Sequence, residues 1–264
     1  MEKIIVCIKG VPKPGTVKVD PETHTLKRES MELILNPNDR PALEMAIRLK
    51  EKYGAEITVI SMGPSNIIPL LKQAYALGID QMILLSDRAF AGADTLATSY
   101  VLARAIEKLS PFSIVLMGLK SIDGETAQVP SETAGLLGLP SLINIKELKK
   151  EDDKWIAIRE NEYGEEEIEV ESSLLASVSP QAFDYLRPPS LKRLIEVKEK
   201  EPLIWTASDI QAEPEKLGLK GSPTQVVDVF EKKLEMKGTI LEGEPQELVE
   251  KFIEVLKEKE IIKI

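Results

Sequence analysis

Six hydrogen-bonding side chains crowd into eleven residues of the stretch SIDGETAQVPSETAGLLG, Ser121 to Gly138: Ser121, Asp123, Glu125, Thr126, Gln128 and Ser131. Hydroxyl and amide groups at this density suit a phosphate or a ribose. Gly124 permits a close backbone approach or a positive φ. A helix is expected to begin near Glu125–Thr126 and run toward Gly138, with Pro130 in its first turn or at a kink. The free amides and positive dipole end of such a helix would seat an anion. The competing reading is a surface helix that Asp123 caps, with the remaining side chains solvated. Neither GxxxxGK[ST] nor GxGxxG is present, so the pattern reaches a nucleotide-like ligand at a helix start and no further.

Other chemistries are narrowed by composition. His24 is the only histidine, in the turn-like DPETHTL, which argues against a histidine-based metal site or triad. Cys7 is the only cysteine, so no intrachain disulfide can form, and its apolar neighbours read it as a small core residue. The net charge of −10 and the lack of a basic stripe argue against a nucleic-acid binder. No apolar run reaches spanning length, and MEKIIVCIKG is too short and too quickly polar for a signal peptide. A cytoplasmic protein without a transmembrane segment is the expectation.

The elements that must position these residues follow from periodicity. KIIVCI (Lys3–Ile8) is a continuous apolar run, as in a buried parallel strand. A Gly/Pro-rich excursion follows, with a hairpin expected around Asp20–Thr25. In NPNDRPALEMAIRLKEKYG, Asn38 or Asp39 can cap a helix with Pro41 in its first turn and an end near Gly54. Strands are expected over Ala55–Gly63, Gln81–Ser86 and Phe112–Gly118, and helices over Ile67–Ala76 and Thr95–Leu109, the latter capped by Asp94. Strand–helix alternation implies a parallel sheet, which binds ligands beyond the carboxyl ends of its strands at the topological switch point. With strand one central and the fourth strand beside it, the crevice lies between Cys7–Gly10 and the residues after Gly118.

Residues 141–178 alternate in short β-like runs, a β-rich excursion. The acidic run Glu162–Glu171 reads as an exposed strand face, and Trp155 and Trp205 as packing residues or subunit contacts. SPQAFDYLRPPS breaks the regularity, and Leu191–Lys200 reads as a short charged helix. The turn-rich tail ends in an amphipathic helix, Pro245–Glu260. The division expected is an α/β nucleotide-binding domain over residues 1–200 and an extension over 201–264.

Several segments, in order and spacing, resemble the β subunit of electron transfer flavoproteins: KIIVCIKGVP, LNPNDRPALEMAIRLKE, VISMGP, ALGID and GLKSIDGETAQVPSETAGLLGLP. The similarity covers essentially the whole chain. It implies a Rossmann-like, parallel-sheet adenine-nucleotide-binding domain with a C-terminal arm that wraps a flavin-bearing α subunit in a heterodimer. By that resemblance the nucleotide-binding positions are Cys7, Ile8, Lys9, Asn36, Asp39, Met62, Ser121, Asp123, Gly124, Glu125, Thr126, Ala127, Gln128 and Val129. By the same resemblance Asn36 and Asp39 would sit near the adenosine end, Thr126, Gln128 and the amides around Ala127–Val129 would hold phosphate, and Asp123 would touch ribose or backbone or cap the helix. Met62 has packing as its plainer reading. Members that hold AMP here resemble AIDDDCNQTGQMTAG where this chain reads SIDGETAQVPSETAG. The less acidic version is similar to the flavin-bifurcating branch, in which FAD takes the AMP position, NADH supplies hydride, and ferredoxin and a quinone reductase or dehydrogenase are acceptors. Fewer carboxylates beside a pyrophosphate lower the Coulomb cost. Leu186, Arg187 and Leu191 fall in the family's partner-recognition loop, although its lysine-rich continuation is diluted here to EVKEKE. AMP in place of FAD, a non-redox adenine-nucleotide module and a scaffold with an empty crevice remain as alternatives.

Overall fold

The computed structural model describes residues 2–14, 32–183, 185, 187–225, 238 and 240–262. The hairpin expected around Asp20–Thr25, His24 and Leu186 lie outside that set. The chain divides into two compact units, Met1–Val229 and Phe230–Ile264.

In the first unit, a nine-stranded sheet is built from β1 (Lys3–Cys7), β4 (Glu56–Met62), β5 (Gln81–Leu85), β6 (Ile114–Gly118), β7 (Ser141–Glu151), β8 (Lys154–Asn161), β9 (Gly164–Val170), β10 (Leu174–Val178) and β11 (Leu203–Trp205). Its order is β11-β5-β4-β1-β6-β10-β7-β8-β9. All pairings are parallel except β7–β8 and β8–β9. The order reverses at β1, which has β4 on one side and β6 on the other, so the expected switch point is present.

Strand alternation divides the core in two. Ile4 and Val6 of β1 join Ile57 and Val59 beneath α1 (Arg40–Tyr53) and α2 (Ile68–Leu77). Ile5 and Cys7 face the other way, with Ile60, Ile83 and Val115, onto α3 (Thr95–Lys108) and α4 (Val129–Leu137). Strands buried on both faces read as the unbroken apolar runs seen in the sequence.

Local signals placed the helix ends well in two cases. Gly54 closes α1 at φ 74°, its amide bonded to the Lys50 carbonyl. The Asp94 carboxylate accepts from the Ala97 amide at the start of α3. The cap expected at α1 is different. A 3-10 turn, Pro37–Asp39, precedes the helix, and no side chain caps it. Asp39 turns inward instead.

The excursion after β1 leaves through β2 (Gly10–Pro12) and returns through β3 (Leu33–Leu35) as an antiparallel ribbon. That return delivers Asn36 to the tip of β1, where its amide bonds the Lys9 carbonyl at 2.9 Å. Residues 141–178 do not form a body apart from the sheet. β7, β8 and β9 extend it as an antiparallel meander, and β10 inserts between β6 and β7. β9 is largely exposed, as its acidic alternation implied. Trp155 is buried and meets Tyr53 edge-on. After α5 (Leu191–Glu196), β11 adds to β5, and Ile210 and Leu217 bury against the α3 side. In the second unit, α6 (Pro245–Glu258) has no buried residue and exposes Val249 and Phe252.

One close approach fixes the crest of the sheet. A Cβ on Gly118 would lie 2.2 Å from Asp39 Oδ1 and 2.5 Å from the Asn38 carbonyl oxygen. Gly135, on α4, has nothing within 4 Å of the same position. Gly118→Ala is expected to cost about 2–4 kcal/mol by overpacking against backbone. Gly135→Ala is expected to stabilise by about 0.5–1 kcal/mol through helix propensity. Urea unfolding of the two variants beside the parent measures both.

Candidate functional site

The crest between β1 and β6 is held by a buried polar knot. Asn36 and Asp39 are 1% and 5% exposed. Asp39 Oδ2 accepts from the Lys9 amide at 2.7 Å, and its Oδ1 accepts from Asn36 Nδ2 at 2.8 Å. Asn36 Nδ2 also donates to the Lys120 carbonyl at 3.0 Å, and Asn36 Oδ1 accepts from the Ile122 amide at 3.3 Å. Asn38 Nδ2 donates to the same Lys120 carbonyl at 2.9 Å. Side chains of one turn thus satisfy the backbone of two other segments. They fix the direction in which the chain leaves β6.

Above the knot the groups are exposed. Lys9 Nζ reaches across from the β1 tip to both Asp123 oxygens at 2.8 Å and to Ser121 Oγ at 3.3 Å. Burial opposes ionisation of Asp123, but the Lys9 ammonium and the Ser121 hydroxyl hold its pKa below the ordinary carboxylate value. Lys120 Nζ lies 3.5 Å from Glu125.

The helix starts later than the sequence implied. It begins at Val129, not near Glu125–Thr126, with Pro130 in its first turn. Two residues explain the delay: Glu125 and Ala127 both adopt φ 54°, in the left-handed region that an α-helix cannot use. Positive φ falls on these two residues and not on Gly124, whose Cβ position would meet only Ser121 Oγ at 3.5 Å. Single left-handed residues turn consecutive amides toward a common side, the geometry of an anion-binding nest. Among the described residues, no acceptor pairs with the amides of Thr126, Ala127 and Gln128.

The knot and the loop above it therefore bring together Lys9, Asn36, Asp39, Ser121, Asp123 and Glu125. Thr126, Ala127, Gln128 and Val129 continue the loop into α4. Cys7 and Ile8 are buried beneath the tip, and burial, then the Asp39 charge, pushes the Cys7 thiol pKa well up, in keeping with a core residue. Met62 ends β4, half-buried against the α3-side core. Thr95 was not legible as part of this region. Its hydroxyl lies 3.4 Å from Gln128 Oε1 and 3.2 Å from Glu132 Oε1, and Ser99 Oγ lies 3.1 Å from Glu132 Oε2, tying the starts of α3 and α4 together. The spacing Thr95–Ser99, i to i+4 on a helix, was the available signal. A groove of about 550 Å³ on the flank of α3, which includes Tyr100 and Arg104, contains none of the crest residues.

The second group stands apart. Arg187 forks onto Glu44 and Glu51 of α1, with Glu44 only 3% exposed. Arg48 lies 4.3 Å over the Phe183 ring and pairs with Glu44. Arg193 donates to the Ile79 carbonyl at 3.0 Å and lies over Tyr75. Between these anchors Leu191 stands 74% exposed. No helix among the described residues is long and apolar enough to cross a membrane.

Residues 23–208 match the electron transfer flavoprotein domain. The chain is 43% identical over 260 residues to the electron transfer flavoprotein subunit beta of Thermoanaerobacterium thermosaccharolyticum, covering 98% of this chain and 99% of that one. The chain belongs to the electron transfer flavoprotein β-subunit family. It is also 41% identical over 262 residues to the caffeyl-CoA reductase-Etf complex subunit CarD of Acetobacterium woodii, covering 98% of this chain and all of that one. With protein FixA of Azorhizobium caulinodans it shares 37% identity over 234 residues, 86% of this chain and 83% of the relative. β subunits of electron transfer flavoproteins pair with α subunits, and the chain is an electron-transfer protein by family.

The knot has a measurable signature. Burial lifts the Asp39 carboxyl from 3.8 to about 7, against the opposing hydrogen bonds from the Lys9 amide and Asn36. A carboxyl with a raised folded pKa binds its proton more tightly folded than unfolded. Its contribution is present in full below about pH 4 and is lost as pH rises to about 7, on the order of 4 kcal/mol in total. Denaturant unfolding between pH 4 and 8 should show this falling component in the parent, and Asp39→Asn should remove it from the slope.

Proposed function

We propose that the crest loop, Ser121–Val129, together with Lys9, holds the adenine-nucleotide part of FAD, and that the chain is the β subunit of a bifurcating, NADH-using electron transfer flavoprotein. The observation that carries this reading is the pair of left-handed residues, Glu125 and Ala127, on an exposed segment leading into α4. Amides without an acceptor among the described residues, a helix start and a lysine at the rim form a donor set suited to a pyrophosphate. No bulky side chain stands in the loop at Gly124, Thr126 or Ala127, which leaves the phosphates room. The alternative occupant, AMP, would use the same donors.

The protein's part is position and electrostatics. Asn36 and Asp39 act from beneath, because their side chains are spent on the protein; they hold the loop in shape. Lys9 supplies the cation at the rim and Asp123 orients it. The flavin, when bound, supplies hydride acceptance from NADH and release of electrons singly, to the α-subunit FAD and to a low-potential acceptor such as ferredoxin.

For the partner, Arg187 and Leu191 have separate duties in this reading. Arg187 anchors the Pro188–Pro189 segment to α1, and Leu191 is presented to the α subunit or a redox partner. The exposed apolar side chains of α6 fit a C-terminal arm that buries against the α subunit.

Coexpression with an α subunit, followed by nucleotide extraction, tests the proposal. Two FAD per heterodimer without AMP, and bleaching of flavin by NADH, are the expected results. One FAD plus AMP rejects bifurcation while the family assignment stands. Ala127→Pro removes one amide donor and forbids φ 54°. It should strip the nucleotide from the β subunit while the α-subunit flavin is retained, as read by extracted nucleotide per heterodimer.

A further inference from the structure

The Asp39 carboxylate is buried, and among the described residues no cation is in contact with it. Its two hydrogen bonds come from neutral donors, the Lys9 amide and the Asn36 side chain. The nearest ammonium, that of Lys9, is turned away to Asp123 and Ser121. Gly118 packs against the Oδ1 side so closely that a Cβ there would collide with it. An isolated buried charge of this kind is costly. It is therefore responsive to any further charge placed nearby.

The loop above supplies that sensitivity. Burial is the main reason Asp39 resists ionisation; of the crest charges, the Lys9 ammonium favours its ionised form and Asp123 disfavours it, so the field of the crest loop is felt in the knot. The charged and titratable groups around Asp39 are few. From the β1 tip they are Lys9 and the Cys7 thiol, and from the β6 loop Lys120, Asp123 and Glu125, with Lys120 and Glu125 paired. On its own element, Arg40 is exposed, and Glu44 is tied to Arg48 and Arg187. A phosphate seated on the loop adds negative charge to this set. Whether Lys9 keeps Asp123 or transfers to the phosphate, the net charge above Asp39 becomes more negative.

We infer that filling the crest site with a nucleotide phosphate is coupled to proton uptake at Asp39, which makes this residue the positioning group that keeps the loop's underside neutral when the site is occupied. The inference rests on the nucleotide reading of the crest loop. It assigns Asp39 a role distinct from ligand contact: the carboxyl never touches the nucleotide and senses it through the field. Burial already poises the group to change state near neutral pH. Linkage then requires that nucleotide affinity weaken as pH rises and Asp39 ionises, since the occupied site holds the proton more tightly.

The test is calorimetric titration of the nucleotide-free full chain with AMP and, separately, ADP at pH 7.5, in buffers of different ionisation enthalpy. The phosphates are then largely past their last ionisation. The expected result is uptake of roughly half a proton per nucleotide, absent in Asp39→Asn. Should that variant fail to fold, the parent's affinity for AMP between pH 7 and 9 serves instead, with progressive weakening expected. Binding with no buffer-dependent heat, or an affinity flat across that range, overturns the coupling and leaves the nucleotide reading intact. Equal uptake in the variant overturns the assignment to Asp39. No binding of either nucleotide overturns the nucleotide reading and the coupling with it.

Discussion

The crest of this sheet depends on one constraint: two parallel strands end side by side, and the chain beyond each must be turned without leaving buried backbone groups unpaired. Asn36 and Asp39 meet that demand. Through them the Lys9 amide, the Lys120 carbonyl and the Ile122 amide all find partners. Removing Asp39 would leave the Lys9 amide without its acceptor, and removing Asn36 would do the same to the Ile122 amide, which costs more than the bonds contribute when made. Gly118 belongs to the same constraint, because any side chain there would occupy the place of Asp39.

With the underside held, the upper face can be strained and exposed. Glu125 and Ala127 carry the left-handed backbone that a non-glycine residue adopts at a cost of order 1–3 kcal/mol. Such strain persists only where the surroundings over-determine it, and the knot below together with the Thr95, Ser99 and Glu132 contacts behind provide that frame. The crest thus separates two tasks. Side chains that look like ligand contacts work on the protein, while the amides of Thr126, Ala127 and Gln128, on a largely exposed loop, have no acceptor among the described residues. The recognition segment repeats the arrangement at another edge, where Arg187 and Arg193 fix the backbone so that Leu191 can stand exposed.

Much of this was legible from residue types alone. The apolar run Lys3–Ile8, the Asp94 cap and the Gly54 stop each rest on local chemistry, and each appears in place. The crest as the meeting point of Cys7–Gly10 with the residues after Gly118 followed from strand alternation. What misled was equally local. Asp39 before Pro41 looks like a helix cap, yet its side chain turns into the knot, where the Lys9 amide, thirty residues away in sequence, and Asn36 Nδ2 each take one of its oxygens. Glu125 and Thr126 look like a first helical turn, but the chain must complete a bend over Ser121 before α4 can start, and the Glu125 amide bonds the Ser121 carbonyl in doing so.

The amino-acid sequence by itself determined the alternation of strands and helices, the family, and the stretch where a charged ligand would be sought, because periodicity, caps and segment order are properties of neighbouring residues. Tertiary structure alone decided that β10 inserts between β6 and β7, that Asn36 and Asp39 face inward while Lys9 faces out, and that Glu125 and Ala127 take the left-handed turn. Each of these depends on partners far along the chain, such as Asn36 with Lys120, and no local pattern encodes which of several possible donors will arrive first in space.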